Sequence, residues 1–377
     1  MVAACYLSLI LTSPQSLLSD PTRFPIGVWL QSTANAERYK KAGINVYVGL
    51  WEGPKEKDLS ALKKAGMPVI CDQNKVGLAH IADRTILGWL QQDEPDNAQA
   101  IAGGYGPCVP PAKVIERYKT MKSLDPTRPV MLNLGQGVAN DEWIGRGNGA
   151  SLDDYKSYVK GGDIISFDIY PVAGLPKPNS EDYLYMVPKG VDRLRGWVTK
   201  TTPSWNCIEC TGIDGSKKAT PEQVKAEVWM SIIHGSTGLL YFVHQFKPTF
   251  KEAALLDDAP MLDMVTKVNR QIQELARVIN VGQKGPTIKT ISSDPKIPVD
   301  VLTKSLDGAS YIFSVGMRNG PTSAAFSVPG MKQTAKIEVL GESRIVKANA
   351  GSFKDNFKPY DVHLYKVTKM VQTFYKQ

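Results

Sequence analysis

The 377-residue sequence predicts a (β/α)8 TIM barrel followed by a small antiparallel β-sandwich. Three observations carry this. The first is a repeated unit: KKAGINVYV (40–48) and KKAGMPVIC (63–71) share one grammar, a helix end, a capping Gly and an apolar strand. The second is the alternation of short apolar runs with helical patterns between residues 22 and 281, which implies βα units and a parallel sheet. The third is a change of grammar after residue 282, where strands alternate with Gly, Asn and Pro turns and helical patterns stop.

Eight strands follow in order: FPIGVWL (24–30), INVYVGLW (44–51), MPVICDQ (67–73), ILGWLQQ (86–92), PVMLNLG (129–135), DIISFDIY (163–170), SWNCIEC (204–210) and GLLYFVHQF (238–246). Helical patterns separate them, among them KEKDLSALKKAG, PAKVIERYKTMKSLDP, PKGVDRLRGWVTK and PEQVKAEVWMSIIHG. The last of these starts after Thr220 as N-cap, with Pro221 in the first turn. A helix over 259–280 completes the set. An open doubly wound sheet would want a glycine-rich phosphate turn after an early strand, and the first turn reads QSTANAER. VGQKGPTIKT reads as a linker, and PVDVLTKS, ASYIFSVGM, TSAAFSVP, AKIEVLG and DVHLYKV as the sandwich strands. The division expected is an N-terminal segment 1–21, a barrel 22–281, a β-sandwich 282–367 and a tail 368–377.

Composition bounds the function. Apolar content of 42% and charged content of 22% suit a water-soluble globular chain, and no run of about 18 apolar residues offers a membrane span. The net charge of +8 is scattered over helical segments without aromatics interleaved, which speaks for solvated helix faces and against nucleic acid. The apolar run CYLSLILTS near the start, with Val-Ala-Ala-Cys at 2–5 resembling a lipoprotein cleavage box, points to export: secreted, periplasmic or lipid-anchored. Cys207 and Cys210 form a CxxC. On a strand, positions three apart face opposite ways about 10 Å apart, too far for a disulfide. A zinc site would need about four ligands. The four histidines are dispersed, so no metal and no cofactor is expected.

In such a barrel the C-terminal strand ends build the site. There the sequence places Trp51 and Glu52; Asp72, Gln73 and Asn74; Gln92, Asp93 and Glu94; Asn133 and Gln136; Asp168 and Tyr170; Glu209; His244 and Gln245. A rim is exposed, so a polar residue there needs no function to explain it. Glu94 and Glu209 stand out. Glu94 ends a strand that turns polar all at once in GWLQQDEPDN, and Glu209 sits within CIEC among small apolar neighbours. A carboxylate buried there needs partners or a raised pKa, the condition of catalytic acids. Asp168 in SFDIYP is similar, with a structural role ahead of a catalytic one. Phosphate binding lacks its glycine loop and a serine nucleophile lacks its GxSxG elbow. Two carboxylates from different strands of one barrel are what glycosidic cleavage asks for.

On these residues the sequence resembles the retaining glycoside hydrolases of clan A, barrels with one catalytic Glu ending strand four and another ending strand seven. The resemblance implies Glu94 as acid/base and Glu209 as nucleophile of a retaining double displacement, and an oligo- or polysaccharide as substrate. It also implies that Tyr170 hydrogen-bonds the nucleophile. In that clan an Asn usually precedes the acid/base and binds the sugar 2-hydroxyl; here Asp93 stands there, able to accept a hydrogen bond but not, when ionised, to donate one. That departure suggests the alternative of a non-catalytic carbohydrate-binding protein on an enzyme-like barrel; a transglycosidase would use the same site. Trp51, Asp72, Asn74, Gln92, Asp93, Asn133, Asp168, Tyr170, His244 and Gln245 are the expected substrate-binding set. Trp51 and Trp143 offer stacking faces, Trp89 and Trp205 read as core, and Tyr105 sits on a long Gly-Pro loop expected to overhang the cleft.

Overall fold

A computed structural model describes residues 17–143, 151–175, 177–215, 217–332 and 335–368. Eight parallel strands close into a barrel: β1 (Ile26–Trp29), β2 (Val46–Val48), β3 (Val69–Asp72), β4 (Ile86–Leu90), β5 (Val130–Leu134), β6 (Ile164–Asp168), β7 (Ser204–Glu209) and β8 (Gly238–Phe242). Each pairs with its sequence neighbours, and β8 returns to β1 with Gly27 beside Leu240. The helices are α1 (Ala36–Lys41), α2 (Glu56–Ala65), α3 (Lys75–Ala79), α4 (Pro111–Leu124), α5 (Tyr155–Tyr158), α6 (Met186–Trp197), α7 (Pro221–Ile233) and α8 (Ala259–Val281). All eight expected strands are present. Their C-terminal ends fall short of the apolar runs, because those runs continue into the rim after pairing has stopped.

Local chemistry explains the elements. Both KKAG glycines take left-handed backbone, Gly43 at φ 80 and Gly66 at φ 61, so each lets a helix stop and a strand begin at once. Thr220 caps α7 through a reciprocal box with Gln223, and Pro221 fills the first turn. Short strands buried on both sides need apolar residues at successive positions, which is what the eight runs supply. Inward residues Trp29, Val46, Val48, Ile70, Leu90, Met131, Ile164, Trp205, Cys207 and Leu240 fill the barrel, joined by Leu17. A second, larger cluster lies between strands and helices and includes Tyr39, Trp89, Phe167, Ile208 and Trp229.

A β-rich domain follows, with nine strands among the described residues: β9 (Gln283–Lys284), β10 (Lys289–Ser292), β11 (Val299–Leu306), β12 (Ala309–Gly316), β13 (Thr322–Ser327), β14 (Lys336–Val339), β15 (Arg344–Lys347), β16 (Ser352–Phe357) and β17 (Val362–Thr368). They form a six-stranded sheet, β9-β11-β12-β17-β14-β15, and a three-stranded one, β10-β13-β16. Ile312, Phe326, Ile337, Phe353 and Tyr365 pack between the sheets, with Phe326 and Phe353 stacked at 4.6 Å. The segment read as a linker contains β9, whose Gln283 and Lys284 pair with Ser305 and Lys304, and the start of β10. The domain covers the outer face of α7, where Trp229 meets Phe313 at 5.5 Å. No helix among the described residues is long and apolar enough to cross a membrane.

Candidate active site

A cleft of about 380 Å³ opens at the C-terminal mouth of the barrel, with Asp93, Glu94, Asn97, Asn133, Gln136, Asp168 and Tyr170 on its walls. Trp29, Trp143, Phe242 and Phe246 supply aromatic surface, and Cys207 forms part of the lining. The GWLQQDEPDN stretch builds one side. Past Leu90 the chain leaves the ladder, and Glu94 adopts φ 41. In an extended strand neighbouring side chains part to opposite faces; here both Asp93 and Glu94 reach the cleft. A left-handed non-glycine residue costs about 1–3 kcal/mol, and such strain persists where surroundings impose it. They do so here through Glu94 N–H to the Asn133 carbonyl (3.1 Å), Asn97 N–H to the Glu94 carbonyl (3.0 Å) and Asn97 Nδ2 to Glu94 Oε2 (2.6 Å).

The neighbouring acids divide by access. Asp96 is fully buried and structural: it accepts the Gly135 amide (2.9 and 3.1 Å) and the Tyr155 hydroxyl (2.7 Å), and burial pushes its carboxyl up to about 6. Asp93 is open to the cleft with protein on its other sides, and that desolvation, helped by the charge of Glu94, raises its pKa. Asn133 Nδ2 donates to Asp93 Oδ1 (3.0 Å), while its own carbonyl oxygen accepts from Ser166 Oγ at 2.7 Å, tying β4, β5 and β6 together under the cleft. Asp168 hydrogen-bonds the Glu94 carboxyl; burial first and the Glu94 charge second hold it well above the carboxylate range.

Glu209 departs from expectation. It has no solvent exposure, lies outside the cleft lining, and accepts the amides of Val172 (2.7 Å) and Ala173 (2.6 Å). Burial pushes it up to about 7 against the pull of those amides. Beside it Glu227 of α7 is also fully buried, and neither Glu227 oxygen receives a hydrogen bond. Burial and the Glu209 charge raise Glu227 well above its usual range, so it stays protonated and donates to Glu209. The pair anchors the loop after β6, which contributes Tyr170, Gly174 and Leu175 to the cleft. The expected pairing of Tyr170 with Glu209 is corrected likewise: the partners are backbone amides, and Tyr170 leans on Phe242 at 5.1 Å.

Of the other expected residues, Asn133, Asp168, Tyr170 and Asp93 meet Glu94 in the cleft, and several others do not. Asn74 caps α3 through Gly77 N–H (2.9 Å) and donates to the Pro54 carbonyl; Asp72 is half-buried outside the lining. Gln92 turns to Gln99 (2.6 Å). His244 is buried beside Gln31 and the Leu30 carbonyl, each at 3.0 Å, and Gln245 makes a backbone bridge with Lys251. Trp51 stands at the rim, its indole donating to Glu252 at 2.6 Å. Tyr105 is 62% exposed on a small hairpin and does not line the cleft. Cys207 lines the cleft while Cys210 packs in the outer core, so the CxxC sulfurs face apart. Trp29, Asn97, Phe242, Phe246 and Glu227 were not singled out from the sequence. For Phe242 the signal was there, two positions past inward Leu240.

No protein-family model matches the chain. A curated relative, Beta-galactosidase LacA of Lactobacillus acidophilus, is 26% identical over 174 residues, 45% of this chain and 23% of LacA. The chain thus spans about a quarter of that relative's length. Among solved structures, a GH42 beta-galactosidase from G. stearothermophilus superposes with a TM-score of 0.60 at 9% identity, covering 92% of this chain and 98% of that one. AmyP in complex with maltose gives 0.55 at 9% identity, covering 95% and 99%. At such identities the likeness establishes a shared fold, a barrel followed by a β-rich domain.

Proposed function

We propose that the cleft cleaves glycosidic bonds, with Glu94 as the proton donor. The observation that carries this is the gathering of Glu94, Asp93 and Asp168 at the mouth of the barrel, between aromatic faces and amide side chains. Aromatic rings suit the apolar faces of a sugar and amides its hydroxyls; a carboxyl among them is what a leaving oxygen needs as proton donor. Asp93, held by Asn133, offers an acceptor to a sugar hydroxyl. The local similarity to a beta-galactosidase supports a glycoside as substrate.

The finer reading is retaining double displacement with Glu209 as nucleophile. It rests on strand order alone and requires Glu209 to leave two amides and Glu227 and enter the cleft. The withdrawn position of Glu209 favours a second reading, a barrel that binds carbohydrate without cleaving it. A panel of aryl glycosides and polysaccharides separates them. Glycosidase action gives product with wild type and little with Glu94→Gln; binding with no product on long incubation supports the second reading.

A further inference from the structure

Building on the carbohydrate reading, an aromatic track leads out of the cleft along the segment after β8. Phe246 belongs to the cleft lining yet is 50% exposed; Phe250 is 54% and Trp51 43% exposed. Their rings are contiguous: Phe246 stacks on Phe250 at 5.8 Å and 30°, and Phe250 meets Trp51 edge-on at 6.4 Å. Single exposed aromatics are ordinary, but a connected row continuous with a functional cleft marks a binding surface.

The row is also held in place. The Gln245 and Lys251 backbones exchange hydrogen bonds at 3.0 and 2.8 Å, and Phe246 N–H reaches the Ile213 carbonyl at 2.8 Å. Glu252 Oε1 accepts both the Trp51 indole and the Ser32 amide at 2.6 Å, so the indole is tethered to the end of β1. Beneath them buried His244 packs 5.9 Å from Phe250 and 5.7 Å from Trp51. Apolar rings fixed in water before any ligand arrives lower the ordering cost of binding one.

We propose that Phe246, Phe250 and Trp51 form a stacking track for the non-reacting units of an oligosaccharide whose reacting linkage lies at Glu94. Because Phe246 serves both cleft and track, a chain seated at Glu94 passes onto the track, whereas a protein partner covering the track would block the cleft. The ligand is therefore a sugar chain rather than a single glycoside.

The test is calorimetric, in a Glu94→Gln background so that ligand is not consumed. The probes are cello-, manno- and β-1,4-galacto-oligosaccharides of two and five units. The track predicts tighter binding of the pentasaccharide of one series. Phe250→Ala and Trp51→Ala should each weaken that binding by about tenfold, about 1.4 kcal/mol. In Phe250→Ala disaccharide affinity and thermal melting should stay unchanged, and Phe250→Tyr should restore the loss. Equal affinity for both lengths, or a length preference that survives both alanine variants, overturns the track and leaves the cleft reading standing. Binding of none of the probes overturns the carbohydrate reading, and the track with it.

Discussion

The molecule holds two carboxyl pairs that differ mainly in where they face. Glu94 and Asp168 meet at the cleft surface; Glu209 and Glu227 meet inside the wall, with no exposure at all. In each pair, burial and the neighbouring carboxylate raise one acid, Asp168 or Glu227, well above its usual range. What separates them is access: the cleft pair can meet a bound molecule, while the wall pair is held by backbone amides and shapes the loop after β6. On the proposed function the same chemistry serves as an acid in one place and a fastener in the other.

That contrast can be broken. Glu94→Gln should lower turnover by about 10²–10⁴-fold with the fold intact, the range for loss of a general acid. Glu209→Gln should act mainly on stability. If it instead abolishes turnover with unchanged melting, and azide restores activity to Glu209→Ala, then Glu209 swings into the cleft and the wall pair is catalytic. Next in size, Glu209→Ala leaves the buried Val172 and Ala173 amides unpaired, a cost of about 1–3 kcal/mol each, to be read by urea unfolding.

The wall pair also fixes a sign for pH. Glu209 rises from an ordinary 4.5 to about 7 in the fold, so between those values the folded chain binds more protons than the unfolded one. Its contribution to stability is full below about 4.5 and is lost as pH rises through 7; Glu227 shifts in the same direction. Glu227→Gln, which keeps a donor at every pH, should flatten that part of the melting profile. The smallest effect expected is from Tyr155→Phe. It removes one hydrogen bond to buried Asp96 and should cost about 0.5–1.5 kcal/mol, with turnover little changed.

The barrel was legible because fully buried parallel strands must be continuous apolar runs, and helix ends such as KKAG punctuate them. The rim was half legible. Glu94, Asp93, Asn133, Asp168 and Tyr170 converge as strand order implies, but alternation fails where pairing has stopped, as at left-handed Glu94. Glu209, still paired with Phe242, has its carboxyl drawn to the loop amides of Val172 and Ala173. Glu227 was hidden for another reason. An acid on a helix reads as solvent-facing, yet α7 has the barrel on one side and Phe313 of the β-rich domain on the other. Strands such as β15 (RIVK) and β16 (SFKDNF) escaped because alternate residues face water and their apolar runs are short. Asp93, the departure from the clan pattern, finds its partner in Asn133, a contact no local spacing reveals.

The most direct test of Glu94 as proton donor compares two aryl glycosides of one sugar, one with a dinitrophenol leaving group and one with a plain phenol. A good leaving group departs without protonation, so Glu94→Gln should depress turnover of the phenyl glycoside far more than that of the dinitrophenyl glycoside. An equal loss on both substrates, or no loss on either, would contradict the assignment.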